Sequence, residues 1–222
     1  MIRLSKLLEC VGNCSVLADI GTDHAYLPIE AVRAGICEKA IACDINAGPL
    51  KIAKKNICKA GFSERIEARL GDGLNPLREN EADCVVIAGM GGMRIVEILK
   101  AAPKKIENAK LVLQPQHDLE ELRRFLHSNM SNIISEKLAI ERSRFYVVLT
   151  VKGAKNAKDI PWTDAEYFLG KIESPDLLLY LCEMRKKSAG YFDAITDEGA
   201  REKEKKRLEW IEEKILCLQR NR

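Results

Sequence analysis

The chain has 222 residues, 46% of them apolar and 31% charged, enough for one full α/β domain and a small appendage but not for two enzymes. A net charge of +3 permits contact with nucleic acid without requiring it. No apolar run approaches the roughly 20 residues of a membrane span, and the charges scattered through Met1–Cys10 exclude a secretory signal, so a cytoplasmic protein with no membrane partner is expected.

From residue 15 to about 152, short β-rich apolar runs alternate with helical patterns, the signature of βαβ units and a mainly parallel sheet. The spacing predicts strands at 15–20, 40–45, 66–70, 84–88, 111–113, 133–140 and 145–152, with helices at 28–34, 49–60, 93–101 and 119–128. Only Glu141-Arg142-Ser143-Arg144 separates the last two strands, which should therefore pair as an antiparallel hairpin at a sheet edge. The polar stretch 153–161 ends in Pro161 and reads as a linker. Beyond it, Leu177, Leu181, Met184, Ser188, Tyr191 and Ile195 recur at steps of four and three, as do Leu208, Ile211, Ile215 and Leu218. With turn chemistry in Thr196-Asp197-Glu198-Gly199, these seams predict a helical hairpin. The expected organisation is an α/β domain over 1–153 and a small, coiled-coil-like helical domain over 160–222.

Eight cysteines invite a metal reading, but the closest pair, Cys10 and Cys14, is spaced CxxxC and there is no CxxC, so no metal is expected. Cys43, Cys58 and Cys84 fall in apolar segments and read as small hydrophobes.

Chemistry gathers after successive strands. The first ends in Asp19-Ile20-Gly21-Thr22-Asp23-His24-Ala25-Tyr26-Leu27-Pro28, where Gly21 lets backbone approach a ligand and Pro28 can open a helix. The second ends in Asp44-Ile45, with a carboxylate suited to the two hydroxyls of a ribose. The third ends in Gly71-Asp72-Gly73, where Asp72 can accept from an adenine amino group, and the fourth in Ala88-Gly89-Met90-Gly91-Gly92. Three carboxylates and two glycine turns together point to a nucleoside, although Asp19, Asp44 and Asp72 individually also suit helix caps or turns. A dinucleotide needs GxGxxG to seat its pyrophosphate, whereas Asp23 here would repel it. S-adenosylmethionine has no phosphate and a positive sulfur, so it is the expected cofactor, with Asp19, Gly21, Asp44, Ile45, Asp72, Gly73, Ala88, Gly89, Met90 and Gly91 around it.

At these residues the chain resembles the bacterial tRNA (adenine-22-N1)-methyltransferase family. The resemblance is carried by Leu4-Ser5-Lys6, the phrase from Ala18 to Pro28, Gly48-Pro49, Gly71-Asp72-Gly73-Leu74, Ile87 to Gly92, Leu113-Gln114-Pro115 and Phe145-Tyr146-Val147-Val148. It departs at Gln116, where many relatives have asparagine, and in shorter carboxyl-terminal helices. The resemblance implies a Rossmann-like methyltransferase domain with a helical domain after it, and as partner a tRNA whose D-arm adenine is methylated at N1.

The residues agree through what is missing. No Asn/Asp/Ser-Pro-Pro-aromatic follows the fourth strand, as amino-group methylation usually needs, nor a cysteine nucleophile. Adenine N1 carries an in-plane lone pair and no proton, so the protein need only align the reactants and supply negative potential to the nascent cation. Asp23 is the candidate for that role, with His24 and Tyr26 shaping the same pocket; the alternative for Asp23 is a cap on the following helix. His117 and His127 read as surface or cap residues, and residues 201–222, with eight Lys or Arg against five Asp or Glu, suit a polyanion modestly. The fold alone also admits another acceptor, a small molecule or protein, or a non-catalytic RNA-binding module.

Overall fold

In the computed structural model, which describes residues 2–129, 133–152 and 162–220, the apolar runs become seven strands. They are β1 (Cys14–Ile20), β2 (Cys37–Asp44), β3 (Ile66–Leu70), β4 (Cys84–Met90), β5 (Lys110–Pro115), β6 (Ile133–Glu141) and β7 (Arg144–Lys152). The sheet order is β3-β2-β1-β4-β5-β7-β6, with β1 to β5 parallel and β7 antiparallel to both β5 and β6. The Rossmann-like α/β fold with its antiparallel end pair is therefore as the sequence implied. Val85, Val86, Ile87, Leu111, Val112 and Leu113 have no exposed surface, since a central parallel strand is covered on both faces and loses the alternation of a half-buried one. Strand order reverses direction between β1 and β4, and ligands of such sheets bind outside the carboxyl ends at that point.

Helices α1 (Ile2–Val11), α2 (Tyr26–Arg33), α3 (Ala47–Lys59), α4 (Gly92–Ala101) and α5 (Leu119–Asn129) accompany the sheet. The sequence did not announce α1, yet it buries Leu7, Cys10 and Val11 and packs on β6 and β7. Helix α2 begins before Pro28, which sits in its first turn, where a missing N–H costs nothing. On α3 the inward stripe is Leu50, Ala53 and Ile57; Cys58 stands a further 100° round and is exposed, unlike the fully buried Cys43 and Cys84, so the small-hydrophobe reading fails for it.

The chain forms two compact units, Met1–Asp159 and Ile160–Arg222; the predicted linker at 153–161 lies outside the described residues. The second unit comprises α6 (Asp164–Leu169), α7 (Leu177–Ala194) and α8 (Glu198–Arg220). A capping box opens α6: Thr163 Oγ1 accepts from Glu166 N, and the Glu166 carboxylate accepts from Thr163 N. Helices α7 and α8 pair through Leu181, Ile211 and Ile215, and Ser188 donates to a buried Glu204. The apolar seam stops there, because Tyr191 is 60% exposed. The turn is also shorter than predicted, with Asp197 capping α8 through Ala200 N and Gly199 already helical. Among the described residues no helix is long and apolar enough to cross a membrane, and no group of three His, Cys, Asp or Glu is arranged to hold a metal.

Candidate functional site

The turn after β1 is latched to β2 by the amides of Gly21 and Thr22, both donating to Cys43 O at 2.9 Å. It then passes through Asp23 (φ 52°) and Ala25 (φ 58°), left-handed conformations that cost a residue with a Cβ about 1–2 kcal/mol each. Three bonds hold them there: Asp23 N to Asp44 Oδ2 (3.2 Å), Ala25 N to Thr22 O (3.0 Å) and Asn56 Nδ2 to His24 O (3.0 Å). Ala25, with no side-chain acceptor, occupies the cap position of α2, and the Asp23 side chain accepts no hydrogen bond from that helix. The Asp23 carboxylate is 65% exposed, with His24 Nδ1 nearest at 3.4 Å. That approach lacks hydrogen-bond geometry, so His24 Nδ1 is buried without a hydrogen-bond partner among the described residues.

The three expected carboxylates meet different fates. Asp19 is buried, which raises its pKa to about 6; the Thr22 hydroxyl, donating at 2.7 Å, offsets part of this and the charge on Asp44 adds to it. Asp44 accepts from Asp23 N through Oδ2 and from Asn46 N through Oδ1 at 2.8 Å, so its orientation is fixed while each oxygen keeps a free lone pair. Asp72 Oδ1 accepts from Arg94 Nη2 at 2.6 Å, and Arg94 also pairs with Glu97 at 2.9 Å. Nothing in the sequence pattern had linked Arg94 to that site.

Two cavities meet at Gly21 and Ala88. One is lined by Asp44, Ile45, Asp72, Gly73, Gly89 and Met90, the other by Asp19, Asp23, His24 and Tyr26. Of the expected site residues only Gly91 lines neither; a Cβ there would lie 2.4 Å from the His117 ring, so this glycine admits the loop after β5. The same loop is tied to β4 by Gln116, whose amide nitrogen donates to Gly89 O at 3.0 Å and whose N–H donates to Met90 O at 2.8 Å. Gly21 is required by its φ of +77°; an added Cβ would also lie 2.3 Å from the Met90 methyl and displace that flexible side chain. Arg3, Leu4 and Leu7 of α1 and Glu141 at the end of β6 also line the second cavity. Sequence reasoning missed them as site residues, although Leu4 lies in one of the phrases carrying the family resemblance. Tyr26, half exposed, stands edge-on to the His24 ring with centroids 5.6 Å apart.

Residues 1–149 match the family model described as "Methyltransferase domain". Over 176 residues the chain is 36% identical to the tRNA (adenine(22)-N(1))-methyltransferase of Bacillus subtilis, covering 79% of this chain and 73% of the relative. The crystal structure of the B. subtilis M1A22 tRNA methyltransferase TrmK superposes with a TM-score of 0.77 at 32% identity, over 98% of this chain and 96% of that one. TrmK of M. capricolum, solved with the cofactor product S-adenosyl-homocysteine, gives 0.81 at 28% identity over 97% of each.

Proposed function

This chain belongs to the tRNA (adenine(22)-N(1))-methyltransferase family, and on that premise we propose that it transfers the methyl group of S-adenosylmethionine to N1 of adenine 22 in the D-arm of tRNA. The observation that carries the reading is the pair of cavities meeting at Gly21 and Ala88, one rimmed by carboxylates suited to a nucleoside, the other by carboxylates and an exposed aromatic ring. A site rich in carboxylate and poor in phosphate-binding features fits a cofactor that is cationic at sulfur and at its ammonium group.

In this reading Asp44 takes the ribose hydroxyls through its remaining lone pairs. Asp72, held by Arg94 through one oxygen, accepts from the adenine amino group with the other. Ile45, exposed at 56%, covers the base, and the backbone of Gly73, Gly89 and Met90 completes the wall. Asp19 faces the ammonium. When bound, S-adenosylmethionine supplies an electrophilic methyl group on a positive sulfur. The acceptor N1 has no proton to lose, so no general base is required. Tyr26 offers a face for the exposed base, His24 packs against it, and Asp23, with a carboxylate committed to no strong partner, holds negative potential where N1 becomes cationic. Residues 160–222, as a helical domain whose final stretch 201–222 carries eight Lys or Arg against five Asp or Glu, serve the phosphates of the tRNA. Exposing a stacked base costs about a few kcal/mol, which that binding offsets.

The test is incubation with an unmodified tRNA transcript and S-adenosylmethionine, followed by mapping of reverse-transcription stops. A new stop at position 22 is expected. Methylation only elsewhere, or only of nuclease-resistant acceptors, overturns the assignment.

A further inference from the structure

S-Adenosylmethionine ends in an amino acid, and a zwitterion buried beside carboxylates needs one cation of its own. Among the described residues, two arginines line the two cavities. Arg94 is committed to Asp72 and Glu97. Arg3 makes no ion pair among the described residues: its guanidinium lies over the Tyr146 ring, 5.5 Å from the centroid, and Nη1 comes within 3.9 Å of where a Gly89 Cβ would be. It therefore reaches the shared wall of the two cavities with its hydrogen-bonding edge uncommitted.

We propose that Arg3, on the amino-terminal helix, binds the α-carboxylate of S-adenosylmethionine and so selects the intact amino-acid end of the cofactor. The inference rests on the cofactor reading above and names a residue for a part of the ligand that reading left unpartnered. Three features support it. Arg3 shares a cavity with Asp19, the carboxylate assigned to the ammonium, so opposite charges face opposite ends of one zwitterion. A guanidinium matches a carboxylate in two parallel bonds, a geometry lysine cannot reproduce. The Tyr146 ring lies against that guanidinium, and Glu141 anchors the start of α1 by accepting from Ile2 N at 3.0 Å, so the arginine is presented by a tethered helix. Tyr146 and Glu141 act as positioning residues.

Calorimetric titration of the full-length protein with three ligands tests this. They are S-adenosylmethionine, its decarboxylated analogue, which keeps the ammonium, and 5′-deoxy-5′-methylthioadenosine, which lacks both groups. The wild type should prefer S-adenosylmethionine to the decarboxylated analogue by about 10–100-fold, the usual worth of hydrogen bonds to a charged group. Arg3→Gln should erase that preference while leaving methylthioadenosine affinity unchanged, and Arg3→Lys should fall between. A preference retained in Arg3→Gln overturns the inference. So does an equal loss for all three ligands, which would mark a folding defect or an adenosine contact. Unchanged cofactor affinity with a raised KM for tRNA would instead make Arg3 a phosphate contact. Failure of the wild type to bind any of the three would sink the cofactor reading itself.

Discussion

At the amino-terminal edge of the sheet, strand starts are tied down by neighbours, whereas at the carboxyl-terminal edge of the same strands polar groups are held in costly or uncommitted states. On the first edge Asp83 accepts from Ser15 N and Val16 N at 3.0 and 2.7 Å, and Lys110 Nζ caps Val11 O. The thiols of Cys37 and Cys84 donate to Cys14 and hold its pKa below the ordinary range. On the second edge Asp23 and Ala25 are left-handed and, among the described residues, His24 Nδ1 has no hydrogen-bond partner and the buried Asp19 carboxylate has no ion-pair partner. The contrast separates structural polarity from functional polarity: a group satisfied by the fold stabilises it, and a group left wanting is reserved for something that arrives later.

Substitutions sharpen this contrast. The largest effect is expected at Asp23. Asparagine keeps the shape of the turn but removes the charge facing the nascent cation, so single-turnover methylation should slow by about 10²–10³-fold while cofactor affinity holds. Near-normal turnover would return Asp23 to a purely conformational role. Next comes Asp44→Ala, which should weaken S-adenosylmethionine binding by about 1.5–3 kcal/mol in calorimetry, with the added consequence that the Asp23 amide loses its acceptor. Unchanged affinity would remove Asp44 from the site. The smallest effect belongs to the opposite edge: Asp83→Ala should lower denaturation stability by about 1–2 kcal/mol through two lost backbone partners, with cofactor affinity intact. A change in cofactor affinity there would break the division between the edges.

Much of the fold was legible because the central strands are continuous apolar runs bounded by glycine and aspartate, and β3 (Ile66–Leu70) begins and ends where the pattern put it. Helix α1 was not, since charges spread through it masked the stripe Leu7, Cys10, Val11. The capping box Thr163-x-x-Glu166 was visible in the sequence and unread. Heptad spacing overreached at Tyr191, because period alone does not say where a facing helix has changed to polar contacts such as Ser188 with Glu204. In the site, strand-end carboxylates and glycines stood out by position. Arg3, Glu141 and Arg94 did not: Arg94 meets Asp72 across 22 residues, and Arg3 and Glu141 arrive from α1 and the end of β6, so no short motif joins them to the strand-end turns.

Asp19 offers the most direct test that the carboxyl-terminal edge is built for a cationic ligand. Burial raises its pKa to about 6, well above the ordinary carboxylate range, so the ionised group opposes folding above about pH 6 and the penalty fades as pH falls toward 4. Asp19→Asn keeps an acceptor for Thr22 Oγ1 and removes the buried charge. At pH 7 the ligand-free variant should be more stable than wild type by about 1–3 kcal/mol, yet bind S-adenosylmethionine more weakly. Wild-type affinity should itself decline as pH drops through about 6, and the variant should lose that dependence. A variant that is less stable, or that binds the cofactor with unchanged affinity and an unchanged pH profile, would contradict the account.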